Sequence, residues 1–138
     1  IDVEHNQKLT VFMCNGNHLS GQGLNISNNE LLSVLYCTSC GLTGLDLNNN
    51  PKLTTLVCDQ NGLSSLDISG NSKISVLYCQ NNHISGNLDI SMLKSIDRFD
   101  CTSNEIVTLF ISLEVEAQLG KDEIKVFKYD DGVDVQVR

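Results

Sequence analysis

A 21-residue period runs through most of this chain, and its cleanest copy is LTTLVCDQNGLSSLDISGNSK, from Leu53 to Lys73. A fixed period of that size marks a solenoid, in which each turn buries its apolar face only by stacking on its neighbours. Such a coil brings few distant residues together. It therefore excludes most enzyme architectures before any motif is considered.

The copies align by their apolar positions. Leu9, Phe12, Cys14, Asn17, Leu19, Leu24, Ile26 and Asn29 make the first, and Leu32, Leu35, Cys37, Cys40, Leu42, Leu45, Leu47 and Asn50 the second. The series continues from Leu53, Ile74 and Ile96, and decays after Ile111. Two copies are slightly long, at Gly21-Gln22-Gly23 and at Ser85-Gly86-Asn87, where a solenoid accepts a loop. Each copy is also two similar halves: Leu53-x-x-Leu56-x-Cys58-x-x-Asn61 is echoed by Leu63-x-x-Leu66-x-Ile68-x-x-Asn71. The alternation inside each half is a strand signal. It predicts two short strands per turn, about five turns, and two parallel walls. Segments such as 64–70 are too short and too rich in Ser and Gly to hold a helix.

These residues resemble the leucine-rich repeat pattern L-x-x-L-x-(L/C)-x-x-(N/C)-x-L. The half Leu63-x-x-Leu66-Asp67-Ile68-x-x-Asn71 is similar, more narrowly, to the bacterial IRREKO-type repeat, with its nested halves and Leu-Asp-Leu signature. The likeness covers roughly residues 1–112. It implies a mainly β, right-handed leucine-rich-repeat solenoid that recognises protein partners in a secreted or cell-surface bacterial protein. It carries no catalytic residues and no cofactor.

Ile1-Asp2-Val3 superposes on Leu45-Asp46-Leu47, so the chain opens on a second half-turn and is expected to extend upstream. No stretch is long and apolar enough to insert in a membrane. The net charge of −8, with no basic stripe, argues against nucleic acid. Residues 113–138 break the period. Two alternating runs, 123–129 and 133–138, flank Asp131-Gly132, which reads as a β-hairpin capping the repeats of 1–112.

Four columns invite chemistry. Cys14, Cys37, Cys58, Cys79 and Cys101 share one inward position and predict a ladder of reduced, buried thiols. Side chains running parallel up a stack make poor disulfides. Cys40 takes the place of an Asn, so Cys37-Thr38-Ser39-Cys40 is formally C-x-x-C. Nothing else supports a redox or metal site, and the second turn is expected to be weaker there. Asn17, Asn61, Asn82 and Asn104, with Asn29, Asn50 and Asn71 opposite, should bond backbone groups between turns. Asp2, Asp46, Asp67 and Asp89, interrupted by Asn25, form a solvated acidic face or, alternatively, a weak Ca²⁺ site.

The strongest functional candidate is the outward face of the first wall. Met13, Tyr36, Val57 and Tyr78 form one apolar column beside Val11, Val34 and Val76, with Arg98, Asp59 and Asp100 as polar rim. Tyr in an exposed apolar patch marks interaction surfaces. The same residues also suit any strand surface. His5, His18 and His83 have no partners for a catalytic triad, and Asn25-Ile26-Ser27 is a lone glycosylation sequon. The expected function is a non-enzymatic module binding a protein through this face, which also allows self-association. The alternative is a spacer or stalk segment of a bacterial surface protein.

Overall fold

The computed structural model describes residues 1–19 and 23–138. The first wall is a six-stranded parallel sheet, in order β1 (Val11–Met13), β2 (Val34–Tyr36), β3 (Thr55–Val57), β4 (Val76–Tyr78), β6 (Arg98–Asp100) and β8 (Val126–Lys128). Its register is the one the columns require, with Phe12, Leu35, Leu56, Leu77, Phe99 and Phe127 in line. In β2, β3 and β4 the central residue is buried and its two neighbours half-buried, Phe99 is buried at the centre of β6, and the end rungs leave Phe12 and Phe127 half-buried against the core.

The second wall differs from expectation. Regular strands occupy it only in the later turns: β5 (Ser85–Asp89), β7 (Glu105–Ile111) and β9 (Asp134–Val137), again parallel. Among the described residues, no inter-turn backbone hydrogen bond joins 45–47 to 66–68. The Asn column makes the link instead. Asn50 Nδ2 donates to Ile26 O and Asn29 O, and Asn71 Nδ2 to Leu47 O and Asn50 O. A side-chain amide bridges the gap that a strand ladder closes further along. Where a loop was expected at Ser85-Gly86-Asn87, β5 runs through, and its register against β7 shifts between Gly86 and Asn87, so that Val107 is skipped in the pairing. The Gly21-Gln22-Gly23 insertion lies largely outside the described residues.

The tail is not a hairpin. Strands form in both alternating runs, but β8 adds to the first wall beside β6 and β9 to the second beside β7. The tail therefore makes a sixth turn. Asp131-Gly132 joins one wall to the other rather than reversing the chain, and Gly132 takes the left-handed φ of 87°. Between the repeats and β8 stands a helix the alternation did not reveal, α1 (Leu113–Leu119). Ser112 caps it by accepting from Val115 N, and its hydroxyl also donates to Leu93 O at 2.7 Å. Val115 is its buried anchor.

One conformational column has no sequence signature. Gly16, Ser39, Gln60, Asn81 and Ser103 occupy the same place after each first-wall strand, all at φ between 54° and 70°. Their N–H groups donate to Thr38 O, Asp59 O, Gln80 O and Thr102 O of the following turns for the first four. That bond holds non-glycine residues in a region they otherwise avoid.

Candidate functional site

The first wall presents three outward columns. In the order of the stack they are Val11, Val34, Thr55, Val76, Arg98 and Val126; then Met13, Tyr36, Val57, Tyr78, Asp100 and Lys128; and, just past the strands, Asn15, Thr38, Asp59, Gln80, Thr102 and Asp130. Val11 and Met13 are exposed, at 47% and 64%. Val34, Tyr36, Val57, Val76 and Tyr78 are half-buried by their neighbours along the columns, and Arg98 is exposed. The tail lies beside this face as a sixth rung, not across it.

Asp59 and Asp100 are not rim groups. Both are buried, Asp59 at 6% and Asp100 at 8% exposure. Asp59 Oδ1 accepts from Thr38 Oγ1 at 2.7 Å. Asp100 Oδ1 accepts from Thr102 N and Oγ1, and its other oxygen faces Lys128 Nζ at 3.9 Å. The bends after the strands expose N–H and hydroxyl donors, and these carboxylates turn inward to satisfy them. Over the first four turns Asp59 is the one charged side chain of the three columns, so the exposed face there carries no charge. Charge appears only on the last two rungs, and much of it is matched across strands: Lys128 with Asp100, and Lys125 with Asp97 at 3.1 Å just outside the columns.

Behind this face runs the thiol ladder. All six cysteines are free and buried. Burial, then the neighbouring thiol and the nearby buried carboxylates, push Cys58 and Cys79 well above their ordinary value, and burial, then Asp100 and Asp130, push Cys101 up to about 12. Cys14 is also raised to about 12, by burial and by Cys40. Thiols held protonated are poor nucleophiles and poor metal ligands. Cys40 does more than expected. Its Sγ donates to Cys14 O at 3.0 Å, the bond that Asn61 and Asn82 make to Cys37 O and Cys58 O in the next turns. Burying a thiol there leaves no gap in that column.

The acidic column of the second wall has a local explanation. Asp2, Asp46, Asp67 and Asp89 each accept through Oδ1 from the N–H two residues on, at Glu4, Asn48, Ser69 and Ser91, and Asn25 does the same for Ser27. These are Asx turns, which need Asp or Asn for the side-chain oxygen, not for a ligand. Among the described residues no group of three or more His, Cys, Asp or Glu is placed to hold a metal ion. The histidines stay peripheral: His83 meets only Glu105, at 3.5 Å on the surface.

No family model matches the chain, and no curated protein does. A solved structure does, described as the functional domain of InlJ from Listeria monocytogenes and as including a cysteine ladder. It superposes with a TM-score of 0.77 at 24% identity, over 99% of this chain and 33% of that one. The two share a fold. This chain spans about a third of that protein's matched chain. No helix among the described residues is long and apolar enough to cross a membrane.

Proposed function

We propose that this chain is a non-enzymatic recognition module of a secreted or cell-surface protein, and that it holds a protein partner against the outward face of its first wall. Met13, Tyr36, Val57 and Tyr78 are the anchors, Val11, Val34 and Val76 widen the patch, and Arg98 marks its charged end. The observation that carries this reading is an outward face free of exposed charge over its first four turns, uncovered by the chain's own tail, on a protein with net charge −8. Ionic groups kept off one face of a strongly acidic protein are the pattern of an interface core, which is depleted in charge and enriched in Tyr and Met. The stacked backbone holds the side chains in place beforehand, so little freedom is lost on contact.

The spacer reading has one observation in its favour. The same side chains half-bury one another along the columns, which stabilises the sheet without a ligand. A Tyr36→Ser/Tyr78→Ser variant separates the two. With hot-spot losses of about 2 kcal/mol per tyrosine, the double variant binds the partner roughly 1,000-fold more weakly and no longer retains it in a paired affinity capture. If the variant and wild type retain the same proteins and differ only in thermal midpoint, the segment is a spacer.

A further inference from the structure

Before β5 the second wall has no strand ladder, and an open groove of about 570 Å³ lies across its early turns. Leu24, Leu45 and Leu47 give it an apolar floor, and Asp46 and Asp67 line it from adjacent turns. Both carboxylates are exposed, and each accepts through Oδ1 in its Asx turn, from Asn48 N and Ser69 N. The turn does not require the charge, since Asn25 makes the same bond to Ser27 N from the same column. Among the described residues neither carboxylate forms an ion pair. Residues 20–22, outside the described set, include no Lys, Arg or His. The backbone carbonyls of Gly44, Leu45 and Asp46, in the same groove, accept no hydrogen bond among the described residues.

One turn further along, the same column holds a cation. Asp89 has the same Asx turn, to Ser91 N, and its Oδ2 accepts from Arg138 Nη1 at 3.0 Å. The guanidinium carbon also lies 3.2 Å from the centre of the Phe110 ring. An apolar surface thus carries the flat side of the group while a carboxylate takes its edge. The groove offers the same two kinds of contact, with two carboxylates in place of one and no cation of this chain paired to them.

We infer that this groove is a second docking surface, on the other wall from the apolar face, and that its occupant is an arginine side chain presented by a protein partner. The guanidinium sits between Asp46 and Asp67, and its aliphatic stem lies on Leu45. Its planar fork of five donors serves both carboxylates and the free carbonyls at once, which a lysine ammonium does less well. The net charge of −8 draws such a group in.

The test titrates nitrogen-15-labelled protein with the capped tripeptide Ala-Arg-Ala and with its lysine and citrulline counterparts, following the backbone amide signals. The arginine peptide should shift the amides of 44–48 and 67–69 saturably, the lysine peptide should bind more weakly, and the uncharged citrulline peptide should leave them in place. Asp46→Asn/Asp67→Asn keeps both Asx turns, as Asn25 does, so it folds, and it should bind the arginine peptide roughly tenfold more weakly or worse. No localised shift up to the solubility limit of the arginine peptide, equal shifts with citrulline, or unchanged affinity in the double variant would each overturn the assignment. So would calcium chloride that moves the same amides saturably where sodium chloride of equal ionic strength does not, because the carboxylates would then belong to a hard cation.

Discussion

Asn50 carries as much of the fold as any leucine around it. It is fully enclosed, and its amide holds Ile26 O and Asn29 O, both at 3.0 Å, where no strand ladder joins the turns. Asn50→Ala removes one of the two bonds at each carbonyl, leaving Ile26 O with Asn29 N and Asn29 O with Leu32 N, and at about 0.5–1.5 kcal/mol for each bond lost the cost should be roughly 1–3 kcal/mol. Asn17 is the control. It is exposed and bonds only within its own turn, to Cys14 O and Asn15 O, so Asn17→Ala should cost less than about 1 kcal/mol. Urea denaturation of the two variants measures the difference. Residue roles of this kind were legible wherever a column repeats one residue type. They were not where the backbone decides. Gly16 hints at a left-handed position, but nothing in Gln60 or Ser103 does, because a bond to the next turn sets the φ of Gln60 and the Asp130 carboxylate takes the N–H of Ser103. Asp59 and Asp100 misled for a related reason: alternation places them outward, while the Thr38 hydroxyl of the preceding turn draws in Asp59 and the Thr102 donors of the following bend draw in Asp100.

Among elements, the first wall was readable almost strand for strand, since a two-residue alternation between fixed loops leaves one register. The second wall was less so. Its half-repeats resemble the first by spacing, yet only the later turns bring backbones close enough to pair. The tail strands were visible and their partners were not: alternation shows that a segment is extended and is silent on which sheet receives it. The thiol ladder carries its own prediction. In the fold the thiols stay protonated, while the unfolded chain titrates near the ordinary 9.0. Raised folded values mean stability is intact below that pH and lost above it, as the unfolded state sheds protons the folded state keeps. Each buried thiol then removes about 1.4 kcal/mol per pH unit, so several together make a steep alkaline edge. For Cys101 the loss ends near 12. Urea midpoints under reductant should fall sharply between about pH 8.5 and about pH 10.5, and Cys58→Ala should flatten the slope by one thiol's share. Acid works in the opposite sense. The Ser69 N–H and hydroxyl lower the Asp67 carboxyl, and at Asp89 a partial burial that raises it is outweighed by the Ser91 bonds and Arg138. Their contribution is present above the ordinary 3.8 and disappears as pH falls through the lower folded values.

For the whole molecule, every turn touches chiefly the turns before and after it, so stability should behave as a sum over neighbours. Deleting 53–73 joins Lys52 to Ile74 in register and removes one rung of six. The shortened chain should still fold cooperatively, with a lower thermal midpoint and a urea m-value smaller by roughly one sixth, because m follows the surface exposed on unfolding. Loss of all cooperativity would mean the turns are not interchangeable. The same stacking governs how the protein answers to force. Pull its two ends apart along the stack and the load falls on one rung's hydrogen bonds at a time, since parallel strands in this geometry unzip rather than shear. The terminal turns peel first and release chain in nearly equal lengths, while the turns still stacked keep the face made by Tyr36 and Tyr78 in shape. A tether built this way yields softly at its ends and grips at its middle.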